Sequence, residues 1–100
     1  MSGGSGEQGL LTAACAQMLQ YYDLPGGAAA GMVDAKMPDA QSGYEKGSTL
    51  VMAGLSGLNM VYEAAGMHAS LLGFCLDSLI IDNDMLGQCL RCVRGIEVNE

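Results

Sequence analysis

Positive charge is scarce in this sequence. Four lysines and arginines stand against eleven aspartates and glutamates, for a formal net charge of −7 over 100 residues. So few cations cannot neutralise a run of phosphates, which disfavours nucleic acid as a partner. The same shortage disfavours attachment to an anionic membrane surface. Long apolar runs are missing as well. The longest uncharged stretch, between Lys46 and Glu63, is interrupted by Ser48, Gly54, Ser56, Gly57 and Asn59. It falls short of the roughly 20 apolar residues of a typical spanning helix. The opening Met1-Ser2-Gly3-Gly4-Ser5-Gly6-Glu7-Gln8 has neither a basic nor an apolar signal region, so no signal peptide is expected and the expected setting is soluble and cytoplasmic. No phosphate-cradling glycine loop, Walker motif, nucleophile elbow or dinucleotide fingerprint is present.

The four cysteines, Cys15, Cys75, Cys89 and Cys92, are irregularly spaced and read as reduced cytosolic thiols rather than a disulfide framework. Cys89 and Cys92 form C-x-x-C inside a helical pattern, where i, i+3 spacing predicts both thiols on one face. Without a second pair or added histidines the plainer reading is small apolar filler, and no metal site is expected. What the chain does have is apolar mass. Half its residues are hydrophobic, its mean hydropathy is +0.26 and only 15% are charged, against roughly 25% in a typical domain. A short chain cannot hide that much apolar surface inside itself, so a partner or the remainder of a longer polypeptide is expected to cover the excess.

The first helix is predicted from Ser5, which forms a capping box with Gln8, through Leu10, Leu11, Ala14, Met18, Leu19 and Tyr22 to a stop at Pro25-Gly26-Gly27. Ala28 to Val33 reads as a buried strand leaving through Asp34-Ala35-Lys36. Asp39 caps a second helix through Tyr44, Leu50, Val51, Leu55 and Leu58, whose glycines suggest close helix contact. Asn59 to Tyr62 is a second strand leaving through Glu63, and Met67 to Phe74 is a loop or short helix. A last helix runs from Leu76 to Arg94 with Leu76, Leu79, Ile80, Leu86, Leu90 and Val93 as its apolar stripe and Gly95 closing it. Asp82-Asn83-Asp84 reads as a solvated face of that helix, with an interface or loop contact as the alternative, since no calcium-loop glycine follows.

The order helix-strand-helix-strand-helix points to an α/β fold with a parallel sheet. Two parallel strands cannot stand alone, because both faces of such a sheet need cover. Residues 1–100 are therefore expected to be part of a larger domain, incomplete at both ends. In a (β/α) barrel the active site lies at the carboxyl ends of the strands. Those ends carry Asp34, Lys36 and Gln41 after the first strand, and Glu63 and His68 after the second. Asp34 and Glu63 are candidates to face a cationic substrate. Lys36 is a candidate to neutralise one of them or to bind an anion; the alternative is a local ion pair with Asp34. Tyr44 and Tyr62 are candidates for an aromatic cage, or for ordinary core tyrosines. His68 is a candidate general base, or a structural histidine.

Specific strings then add to the periodicity. Ser2 to Gln8, Ala13 to Gln17, Tyr22 to Pro25, Asp34 to Gln41, Gly43 to Lys46, Ala53 to Asn59, Ile81 to Gly87 and Arg94 to Ile96 follow one another in a way that resembles the trimethylamine methyltransferase family. The resemblance spans essentially the whole chain, and the ordered set carries it rather than any one motif. It implies an internal stretch of a (β/α)8 TIM-type barrel. It implies transfer of a methyl group from trimethylamine, glycine betaine or another methylated amine to the cobalt of a separate corrinoid protein, chemistry found in methanogenesis. It places no cofactor on this chain itself; the corrinoid (cobalamin) belongs to the partner. The full-length protein is expected to be a homo-oligomer. On this reading Asp34, Lys36, Glu63 and His68 are the candidate catalytic residues, and Gln41, Tyr44 and Tyr62 the candidate substrate contacts. Some family members carry pyrrolysine; this sequence uses only standard residues, which leaves the subgroup open. Two alternatives from other classes are a small acidic helical interaction module and a lyase or aldolase barrel using Lys36.

Overall fold

A computed structural model describes residues 3–99; Met1, Ser2 (which opens the first family string) and Glu100 lie outside the described residues. Helix α1 spans Gly6–Tyr21, with the Ser5 side chain accepting the Gln8 N–H at 3.4 Å. The predicted box is half made, because the Gln8 amide reaches forward to the Thr12 hydroxyl instead. Helix α2 spans Ala40–Leu55, and its cap is Asp39, which accepts the Ser42 N–H at 3.0 Å. It stops before the predicted Leu58, since Gly57 takes a left-handed φ of +83°. Helix α3 spans Leu76–Arg94 as predicted, with Asp77 in its first turn and Arg91 and Arg94 in its last, where the macrodipole favours each charge.

Strands β1 (Gly27–Ala29) and β2 (Met60–Tyr62) pair in parallel, with Ala28 opposite Val61. Helix α2 is the crossover between them, so β1, α2 and β2 form a parallel βαβ unit. β1 is shorter than the predicted strand. Ala30 still donates to the Tyr62 carbonyl at 3.3 Å, but Gly31 turns away at φ +83°. Met32 and Val33 stay buried as irregular chain. The segment predicted as loop or short helix is an antiparallel hairpin of β3 (Met67–His68) and β4 (Gly73–Phe74).

The core is small: Ala30, Leu50, Ala53 and Cys89, flanked by Val51, Leu58, Val61, Ala64, Met85 and Leu86. Burying a side chain such as Leu50 contributes roughly 1.5–3 kcal/mol. Close helix contact holds at one of the four glycines in question. A Cβ on Gly54 would lie 2.5 Å from Val93 Cγ2, whereas Gly43 and Gly47 face open space and Gly57 lies beyond the helix. Most of the predicted stripes of α1 and α3 lie outside this core, with Leu86 packed at its edge. α1 buries Gly9, Thr12 and Ala16, and α3 buries Ser78, Asp82 and Cys89. Leu10, Leu11, Met18, Ile80 and Leu90 are all exposed by half or more. A helix apolar on more than one face is one that is covered on more than one side. Among the described residues no helix is long and apolar enough to cross a membrane.

Candidate functional site at the strand exits

The two strand exits approach each other closely. A Cβ on Gly31 would lie 2.9 Å from the Ala64 carbonyl oxygen, and the Gly31 N–H donates to the Thr49 hydroxyl at 3.2 Å. Glu63, the first residue beyond β2, has φ +62°, a region rarely occupied by non-glycine residues. Beyond Gly31 the chain is held from two elements. On α2, Glu45 Oε2 accepts the Asp34 N–H at 2.9 Å and the Ala35 N–H at 3.3 Å, while Oε1 accepts the Gln41 amide at 2.8 Å. From the hairpin, Ser70 N–H donates to the Val33 carbonyl at 2.8 Å and Ala69 N–H to the Ala35 carbonyl at 3.0 Å. Gly4 packs against the same segment so tightly that a Cβ there would lie 2.6 Å from Val33 Cα.

Asp34 sits inside this frame, half-buried. Its Oδ1 accepts the Gly3 N–H at 2.8 Å and also the Ser70 hydroxyl. The hairpin tip that delivers Ser70 is strained: Ala69, Ser70 and Leu71 have φ of +50°, +54° and +76°, and none is glycine. Each such residue costs on the order of 1–2 kcal/mol. The bonds to Val33 and Ala35 hold the tip in that conformation.

Behind the frame lies a buried polar layer. Lys46 on α2 forms an ion pair with Asp82 on α3, both side chains all but inaccessible, and Asp82 Oδ2 also accepts the Gly66 N–H at 2.7 Å. His68 is buried; its Nδ1 faces the Ala35 carbonyl at 3.2 Å and its Nε2 the Ser78 hydroxyl at 2.5 Å. A carbonyl can only accept, so Nδ1 carries the proton and, in the neutral ring, Nε2 accepts from Ser78. At the start of α3 the Cys75 thiol is held below its ordinary pKa, first by the Ser78 backbone N–H. Burial pushes the Cys89 thiol up, with Cys92 adding to the effect.

Among the predicted site residues, Asp34, His68 and Gln41 are drawn into one network around residues 33–35. Glu63 is at the exit of β2 and exposed; Lys36 is exposed beyond β1. Tyr44 is exposed on α2, while the Tyr62 hydroxyl lies over Gly27, back along β1. No ring contact joins Tyr44 to Tyr62 among the described residues; the ring pair seen there is Tyr21 with Tyr22, edge to face at 5.1 Å. One expectation is corrected outright: Asp82 is not on a solvated face but in the buried ion pair. Of the two C-x-x-C thiols, Cys89 is buried and Cys92 exposed. Glu45, Lys46, Ser70 and Ser78 escaped the sequence reading as site residues, and Asp82 was read in another role. Lys46 had a signal, as the single base between Lys36 and Arg91; Ser70 had none. No cluster of three His, Cys, Asp or Glu side chains able to hold a metal occurs among the described residues.

The profile of the family described as "Trimethylamine methyltransferase (MTTB)" matches residues 1–100. Trimethylamine methyltransferase MttB of Methanosarcina barkeri (strain Fusaro / DSM 804) is 42% identical over 97 residues, covering 97% of this chain and 19% of that protein. Its counterpart from Methanosarcina thermophila is 41% identical over 97 residues, covering 97% of this chain and 20% of that protein. Glycine betaine methyltransferase of Desulfitobacterium hafniense (strain Y51) is 34% identical over 100 residues, covering 100% and 21%. The chain thus spans about a fifth of the length of the curated relatives it matches. With a match that runs along its whole length, the chain belongs to the trimethylamine methyltransferase (MTTB) family.

Proposed function

We propose that these residues are two consecutive units of a (β/α)8 barrel methyltransferase that takes a methyl group from trimethylamine or a related methylated or quaternary amine and passes it to a corrinoid protein. The family match along residues 1–100 carries this reading. The barrel is supported by β1 and β2, which are sequential, parallel and adjacent across a helical crossover, like neighbouring staves. It is also supported by the uncovered apolar faces of α1 and α3, which further units would bury.

In this reading the cationic amine lies at the strand exits, against Asp34 with Glu63 nearby. A quaternary ammonium group has no N–H to donate, so charge and aromatic surface are what can recognise it. The reduced cobalt of the corrinoid supplies the nucleophile. The chain's task is to orient the amine and place charge around it. Gln41 then acts through Glu45, His68 holds the hairpin against the β1 exit, and Tyr44 and Tyr62 are single aromatic faces rather than a cage. Lys36, exposed at the rim, is placed to meet an anionic group such as the carboxylate of a betaine. It lacks the apolar enclosure that activates a Schiff-base lysine, so the structure offers the aldolase alternative no support. The corrinoid protein, a cytoplasmic setting and self-association of the intact enzyme belong to the same proposal.

The test is methyl transfer by the intact enzyme, with the reduced corrinoid protein and a panel of trimethylamine, glycine betaine and other methylated amines. Amine-dependent methylation of the corrinoid, followed by its absorbance change, is expected for at least one of them. A panel with no active amine contradicts the proposal.

A further inference from the structure

We propose that Ser70 is the positioning residue for Asp34, and that the strained hairpin tip exists to present it. This rests on the reading of Asp34 as the counter-charge for the amine. Ser70 uses both of its donors on the β1 exit: its N–H goes to the Val33 carbonyl at 2.8 Å and its hydroxyl to Asp34 Oδ1. That double reach requires Ser70 at φ +54°, between Ala69 at +50° and Leu71 at +76°. Left-handed geometry at three successive non-glycine residues is costly and persists only where the surroundings impose it; such strain gathers at functional sites. The strain here turns one hydroxyl toward one carboxylate. Asp34 is further fixed by the Gly3 N–H at 2.8 Å, and its own N–H is held by Glu45. A hydroxyl donated to a carboxylate stabilises the charged form and fixes its rotamer. Ser70 therefore keeps Asp34 aimed.

Ser70→Gly separates this role from a structural one. Glycine is at ease at positive φ, so the variant keeps or gains thermal stability while losing the hydroxyl. In the intact enzyme its KM for the quaternary amine is expected to rise about tenfold with kcat little changed. Ser70→Asn tolerates the left-handed region and restores a donor, so the KM effect should shrink toward wild type. A KM that stays at its wild-type value in Ser70→Gly overturns the proposal. Asp34→Asn distinguishes the two levels. If it is inactive while Ser70→Gly behaves as wild type, this inference alone fails; if it is fully active, the assignment of Asp34 fails and this inference with it.

Discussion

Asp82→Ala is expected to destabilise the intact protein by about 3–5 kcal/mol, the usual cost of removing one partner from a buried ion pair. Lys46 and Asp82 are 1% and 3% accessible and tie α2 to α3. Alanine at 82 strands the Lys46 ammonium in a site with no solvent, and it also removes the acceptor of the Gly66 N–H. That N–H belongs to the turn leading into the hairpin, so the loss reaches the strand exits. The pair is an arrangement whose breaking is expensive rather than a strong source of stability. Replacing both partners together, as in Lys46→Met with Asp82→Leu, is accordingly expected to cost less than the single change. Denaturant unfolding of the three variants checks this. An Asp82→Ala protein within about 0.5 kcal/mol of wild type would match an ordinary surface change and contradict the buried pair.

Asp34→Asn is expected to lower kcat/KM for a quaternary amine about a hundredfold, on the order of 3 kcal/mol. The substitution isolates charge. An asparagine Oδ1 can still accept the Gly3 N–H and the Ser70 hydroxyl, so the exit loop keeps its form while the attraction for ammonium disappears. Steady-state kinetics on the intact enzyme, with unfolding run alongside, reads both. Unchanged kcat/KM in a folded variant would remove Asp34 from the site.

The helices were legible because their ends obey local chemistry: Ser5, Asp39 and Gly95 act at the termini where their types predict. The inward faces were not. Apolar periodicity finds the side of a helix that some neighbour covers, and much of that side in α1 and α3 is exposed here. The residues that α3 buries are instead Ser78, Asp82 and Cys89, with Leu86 at the edge of the core and Val93 against Gly54. The hairpin was illegible for a different reason. Its turn places Ala69, Ser70 and Leu71 at positive φ without the glycine or asparagine that normally announces such a turn. Tertiary bonds to Val33 and Ala35, separated by more than thirty positions in sequence, impose it. Asp34 and Glu63 could be found because a strand exit is recognisable from the run before it. Glu45 and Ser70, which hold Asp34, could not, because each lies on another element and meets it only in the folded chain.

A crystal structure of the intact enzyme with a bound methylated amine tests the central claim most directly. The expected result has β1 and β2 as adjacent staves of a closed barrel and the substrate nitrogen within about 6 Å of the Asp34 carboxylate, the range over which an opposite charge is felt. An amine seated at the other end of the strands, or a sheet that does not close, would contradict it.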